Sequence, residues 1–238
     1  RTTSRRGRYR TWARRVADRP DFFFTSKLNR EFTHRFNRNA ALADIYRKAL
    51  DPLRQSGCLR GLLAQFRYDF ADAPAARTHL CWIRDQFAEW APLVVEVRHR
   101  SWQTSEALDF LAGLGVSVAS LDYPKARDSF DADIAWPDRP AYMRLHGRNY
   151  ETWFSSDLPP YETYNYNYSN QEIQELSDRC EAMLKTVRHL TIVANNHYQG
   201  KAVSAAVRLK AQLLDQAVAV PPALKDTYPQ LKQIEAHS

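Results

Sequence analysis

The chain has 238 residues, 44% of them hydrophobic, enough for one large α/β domain with a full core or for two small ones. No stretch approaches the roughly 18 consecutive apolar residues of a membrane span, and no apolar segment follows the arginine-rich start to make a signal peptide, so a soluble cytoplasmic protein with no membrane partner is expected. The formal charge of +7 is concentrated at that start: Arg1, Arg5, Arg6, Arg8, Arg10, Arg14 and Arg15 account for it, because the remaining 27 Lys and Arg equal the 27 Asp and Glu.

In chain order, the first expected element is a helix over about 7–18, where Tyr9, Trp12, Ala13 and Val16 recur at helical spacing and leave most arginines outside. A basic face of this kind is either solvated or a phosphate-binding arm, and the solvated face is the ordinary outcome. Six short apolar runs follow: Phe22–Leu28, Leu62–Tyr68, Leu93–His99, Val116–Tyr123, Ala141–Gly147 and Leu190–Asn196. Between them lie segments of helical periodicity, about 41–55, 74–90, 104–114, 170–187 and 201–216. Gly57 and Gly115 supply stops, Pro74 opens a first turn, and Ser169 with Glu172 forms a capping box.

Residues 124–140 join two strands with no clear helix, and 148–169 form a long tyrosine-rich loop, the kind of connection that carries binding function. No linker divides the pattern, so 1–238 reads as a single barrel domain with a C-terminal packing extension over 217–238. Cys58, Cys81 and Cys180 are odd in number and widely spaced, hence reduced thiols rather than a zinc or redox motif.

Strands alternating with helices imply parallel strands joined by right-handed crossovers, in a doubly wound sheet or a barrel. Each run ends on polar residues, as in an α/β barrel that assembles its site at the carboxyl ends of its strands. Residues two apart in a strand share a face about 6 to 7 Å apart. This groups Thr25 with Lys27, Glu96 with Arg98, Ser120 with Asp122, and Arg144 with His146. One mouth would then hold Lys27, Arg98 and Arg144 against Glu96 and Asp122, with Gln65, His146, Asn195 and Asn196 as neutral polar groups.

The cations outnumber the acids, which favours an anionic ligand: a phosphate, phosphodiester or carboxylate. The same excess disfavours a divalent metal on Glu96, Asp122, His146 and His34, and no cofactor is expected. His146 is the natural acid/base group, with Glu96 or Asp122 to orient it or to act as the second one. Lys27, His34, Gln65, Arg98, Trp102, Arg144, Tyr164, Asn195 and Asn196 are the substrate-binding candidates. Trp102 is divided between a pocket wall and a helix anchor, and Tyr164 between stacking on a base or sugar and packing on the rim.

The successions Phe24-Thr25-Ser26-Lys27-Leu28 with Phe32-Thr33-His34, Val95-Glu96-Val97-Arg98-His99-Arg100-Ser101-Trp102, and Tyr142-Met143-Arg144-Leu145-His146-Gly147-Arg148-Asn149 carry a resemblance. With the closing run Val193 to Ala202, they resemble the YecE-like family, the domain-of-unknown-function family numbered seventy-two, over nearly all of 8–215. Gln65-Phe66-Arg67-Tyr68 departs from that family's frequent Gln-Leu-Pro-Pro pattern.

The resemblance implies a TIM-barrel-like fold and two further N-terminal strands outside this sequence, but no established reaction. Two readings stand: an enzyme of hydrolase, lyase or isomerase type acting on an anionic substrate by acid/base chemistry, or a non-catalytic nucleic-acid-binding module using the arginine-rich helix and the tyrosine loop. A third, a structural role with the strand-end charges paired among themselves, fits the same composition.

Overall fold

The computed structural model describes residues 2–155, 157–159 and 161–236. Arg1 and the side chains of Arg5 and Arg6 lie outside this description. The chain forms two compact units, Arg1–Val118 and Ala119–Ser238, with the division inside one strand.

The first unit runs α1 (Thr2–Arg15), β1 (Phe24–Lys27), α2 (Arg30–Thr33), α3 (Ala40–Gln55), β2 (Leu59–Gln65), α4 (Pro74–Phe87), β3 (Leu93–Glu96) and α5 (Ser105–Gly113), and ends within β4 (Ser117–Asp122). The second completes β4 and adds β5 (Ala141–Leu145), α6 (Tyr150–Trp153), α7 (Asn170–Leu184), β6 (Leu190–Ala194), α8 (Lys201–Leu214) and α9 (Pro222–Lys225). Each strand pairs in parallel with the next in the sequence. Parallel strands in chain order, alternating with helices, make an α/β fold consistent with the TIM-barrel-like expectation. The described residues contain six strands; a complete eight-stranded ring is not among them.

The local chemistry explains the boundaries. The Asn39 side chain caps α3 by accepting from Leu42 N at 3.0 Å. Pro74 sits in the first turn of α4, where its missing N–H costs nothing. The Ser169–Glu172 capping box opens α7 in both directions, with Ser169 N donating to Glu172 at 2.7 Å and Glu172 N to Ser169 Oγ at 3.2 Å. Gly57 and Gly115 end the helices before them at φ 73° and 70°, the left-handed region that favours glycine. β2 begins three residues earlier than its apolar run, because Arg60 and Gly61 hide the start of the strand. The loop over 148–169 holds the short helix α6 and a 3₁₀ turn at Glu162–Tyr164, so it is partly ordered by its own hydrogen bonds.

One sheet face in each unit is covered by helices. In the first, Ser26 meets Tyr46 of α3 at 3.0 Å, and Phe66 stacks on Phe70 and packs edge-on to His79 of α4. In the second, Ala141, Met143 and Leu145 pack against Ile173, Leu176 and Cys180 of α7. Burial pushes the Cys180 thiol up to about 12, the signature of an inert core cysteine. The C-terminal segment has its own small core, Val220, Tyr228 and Leu231, with Val207 and Leu224 packed against it.

Candidate functional sites at the strand ends

Strand register decides which residues can meet, since partners in a parallel ladder point to the same face. In the first unit Lys27 pairs with Leu63, Thr25 with Gly61, and Gln65 with Glu96. Ser26 pairs with Leu62 on the helix-covered side, so Thr25, Lys27, Gln65 and Glu96 share the opposite face. The sequence-based grouping of these residues holds within this unit.

Glu96 is fully buried. Its Oε1 accepts from Arg98 Nε at 2.9 Å and lies 2.7 Å from Arg98 Nη2, which fixes the guanidinium at the end of β3. His34 follows α2 immediately after β1, and its Nδ1 lies 2.9 Å from the Thr33 hydroxyl. Partial burial lowers its pKa below 6.5, and the charges of Lys27, Arg30, Arg67 and Arg98 lower it further. Lys27 itself is exposed. Arg67 also pairs with Asp69 through Nε at 3.1 Å and Nη2 at 2.9 Å.

In the second unit Leu121 pairs with Arg144, and Arg144 with Val193, so Arg144 and His146 lie on the face away from α7. His146 is fully buried, its Nδ1 3.2 Å from the Asn195 amide nitrogen. With that nitrogen as donor, Nδ1 accepts and the neutral imidazole carries its proton on Nε2. Aromatic rings surround it: Tyr123 at 6.3 Å and Trp153 at 5.7 Å between centroids, Trp153 in turn meeting Tyr164 at 6.2 Å and Tyr164 meeting His197 at 5.1 Å. Tyr164 therefore belongs to the surroundings of His146.

Asp122 and Asn196 stand elsewhere than the sequence suggested, and Trp102 takes one of the two roles open to it. Asp122 pairs with Leu145 and Ser120 with Met143, both on the helix-covered face, so Asp122 does not share the face of His146. Its carboxylate accepts from Arg148 Nη2 at 2.9 Å, Arg179 Nη1 at 3.0 Å and the Tyr168 hydroxyl at 2.8 Å. Burial, followed by the neighbouring Asp122 charge, pushes the Tyr168 pKa well up. Asp122 is the hub of an ion-pair network that locks α7 and the loop before it to the end of β4.

Trp102 is fully buried, donates from Nε1 to the Phe70 carbonyl at 2.7 Å and stacks on the Phe70 ring at 5.5 Å. It is a core anchor, not a pocket wall. Asn196 is also fully buried, and its amide donates to the Tyr166 carbonyl at 2.9 Å, so it pins the tyrosine loop.

Sequence reasoning missed Arg148, Arg179 and Tyr168 around Asp122, Tyr123 and Trp153 around His146, and Arg30 and Arg67 near His34. Parity puts Tyr123 opposite Asp122, and only the register of β4 against β5 shows which of the two faces His146. The partners of Asp122 come from 26 to 57 residues away and have no local signal. Among the described residues no group of three or more His, Cys, Asp or Glu is placed to hold a metal ion, and no helix is long and apolar enough to cross a membrane.

The family model described as "Protein of unknown function DUF72" matches residues 2–230. A DUF72 family protein of Thermotoga maritima of known crystal structure is 29% identical, with a TM-score of 0.77 over 87% of this chain and 79% of that one. A DUF72 family protein of Enterococcus faecalis is 21% identical, with a TM-score of 0.77 over 90% of this chain and 81% of that one. A second crystal structure of the Enterococcus protein gives 22% identity and a TM-score of 0.74 over 89% and 85% of the two chains. No curated protein matches the chain.

Proposed function

The chain belongs to the DUF72 family, and from that premise we propose that it is an enzyme acting on an anionic substrate, a phosphate, phosphodiester or carboxylate, at the carboxyl ends of its parallel strands. The family's name assigns no reaction, so the reading rests on the residues. The observation that carries it is the strand-end arrangement of the first unit: Lys27, Gln65 and Glu96 share one sheet face, Arg98 is held by Glu96, and the charges of Lys27, Arg30, Arg67 and Arg98 lower the pKa of the half-buried His34. Beside them the buried carboxylate of Glu96 orients Arg98 through two nitrogens. Guanidinium groups held this way suit bidentate recognition of a carboxylate or phosphate.

The second unit carries an acid/base candidate of its own, the buried His146. Its Nδ1 is oriented by Asn195, and the aromatic rings of Tyr123 and Trp153 exclude water from the imidazole. Asp122 takes no part in this chemistry.

Sulfate titrated into the intact chain tests recognition. Lys27→Ala, at an exposed position, weakens sulfate binding several-fold without lowering the melting temperature; unchanged binding overturns the assignment. Across a panel of phosphomonoesters, phosphodiesters and carboxylate esters, His146→Gln abolishes whatever turnover the wild type shows, and retained turnover removes His146 from the mechanism. The exposed Arg8, Arg10, Arg14 and Arg15 of α1 favour a second reading as a nucleic-acid-binding module. That reading gains if replacing them removes a steeply salt-dependent retention of DNA or RNA that survives His146→Gln.

A further inference from the structure

In the second unit a cavity of about 420 Å³ opens between the first turn of α7, the later half of α8 and the C-terminal segment. That volume falls within the range of small-molecule sites. The wall is mixed: Asn170, Arg208, Gln212 and Gln233 contribute polar groups, with Asp215 at the end of α8, beside the apolar Ile173 and Ile234.

Arg208 is the unusual member. It is only 8% exposed, yet its guanidinium is held by neutral acceptors alone, the Tyr168 carbonyl at 2.5 Å from Nη1 and the Asn170 side-chain oxygen at 2.7 Å from Nη2. Among the described residues no carboxylate comes within ion-pair distance of it. Burial depresses its pKa, and only the more distant charge of Glu172 acts in the other direction. A buried cation without a counter-anion is costly, and here it lines a cavity large enough to admit one.

We propose that this cavity binds a small monocarboxylate bearing hydroxyl or amino groups, with the carboxylate taken by Arg208. The site is separate from the strand-end groups, and the proposal does not rest on the function assigned to them.

The remainder of the wall specifies the rest of the ligand. Arg208 and Gln212 lie one turn apart on α8, and Asp215 caps the end of that helix. At the helical rise, Arg208 and Asp215 are roughly 10 Å apart along the axis, which a five- or six-carbon chain hydrogen-bonded at both ends can span. The glutamine amides offer donors and acceptors to hydroxyl groups between those ends. The exposed carboxylate of Asp215 repels a second anionic group and accepts from a hydroxyl or ammonium, which selects against dicarboxylates.

Calorimetric titration of the intact chain with gluconate, with its neutral counterpart sorbitol and with the dicarboxylate glucarate tests the site. Gluconate binds, sorbitol does not, and glucarate binds more weakly than gluconate. Arg208→Gln weakens gluconate roughly tenfold or more. Should that variant fail to fold, Gln233→Glu reads the same question, because it places a negative charge on an exposed part of the wall without touching the hydrogen bonds of Arg208. It weakens gluconate several-fold at an unchanged melting temperature. No binding of gluconate, equal binding of sorbitol, or affinity unchanged in Gln233→Glu or in a folded Arg208→Gln overturns the proposal.

Discussion

Glu96 and Asp122 are both buried carboxylates near the ends of parallel strands, and they do opposite work. Glu96 lies on the face of β3 away from the helices, beside Gln65, and holds Arg98, two residues beyond the end of the strand. Asp122 lies on the helix-covered face of β4 and is enclosed by Arg148, Arg179 and Tyr168. The first stands beside the cations of the proposed anion site; the second is enclosed by cations of its own unit. A strand-end acid is therefore read by its face before its chemistry, and one step of strand parity separates a site residue from a structural clamp.

The two carboxylates differ most in what they contribute to stability. Asp122→Ala leaves two arginines and the Tyr168 hydroxyl without their shared acceptor, and urea denaturation should show a loss of about 3 to 5 kcal/mol, the cost of breaking a buried pair by removing one partner. Sulfate binding in the folded fraction stays as in the wild type. A loss near zero would place Asp122 among the functional residues after all.

Glu96→Gln should behave the other way round. The amide retains an acceptor for Arg98, so stability falls by only about 1 to 2 kcal/mol. Removing the negative charge beside the cationic group tightens sulfate roughly three- to tenfold. Weaker sulfate binding in this variant would mean that the arginine's position matters more than the local charge.

The smallest effect belongs to Trp102→Phe. It removes the donor to the Phe70 carbonyl and keeps most of the stacking, for a loss of about 1 kcal/mol in denaturant titration. Sulfate affinity should be unchanged, as suits a core anchor.

The strands and long helices were legible because apolar runs, caps and glycine stops each point the same way. Ser169 with Glu172, Pro74 and Gly115 all stand where the sequence placed them. The face of β4 was not legible: every residue from Ser117 to Asp122 is buried, and a strand covered on both sides shows no alternation from which to choose. β1 does not alternate either, Phe24 to Ser26 being half-buried and Lys27 exposed, and its faces are set by its register on β2. The family resemblance shared this limit, since a motif such as Arg144-Leu145-His146 records residues and spacing but not the partners that Arg148 and Arg179 bring to Asp122 from distant segments.

If the first unit's cations form an anion site around His34, NMR titration of the His34 ring reports the bound anion. Because its folded pKa lies below the ordinary 6.5, His34 is neutral at neutral pH. Its contribution to stability is fully present above 6.5 and is lost as pH falls through the folded value. An anion seated among Lys27, Arg30, Arg67 and Arg98 offsets their charge, so saturating sulfate should raise the His34 pKa and sulfate should bind more tightly as pH falls. A His34 pKa that does not move with sulfate, in a chain whose wild-type and Lys27→Ala forms bind sulfate equally, would contradict the account.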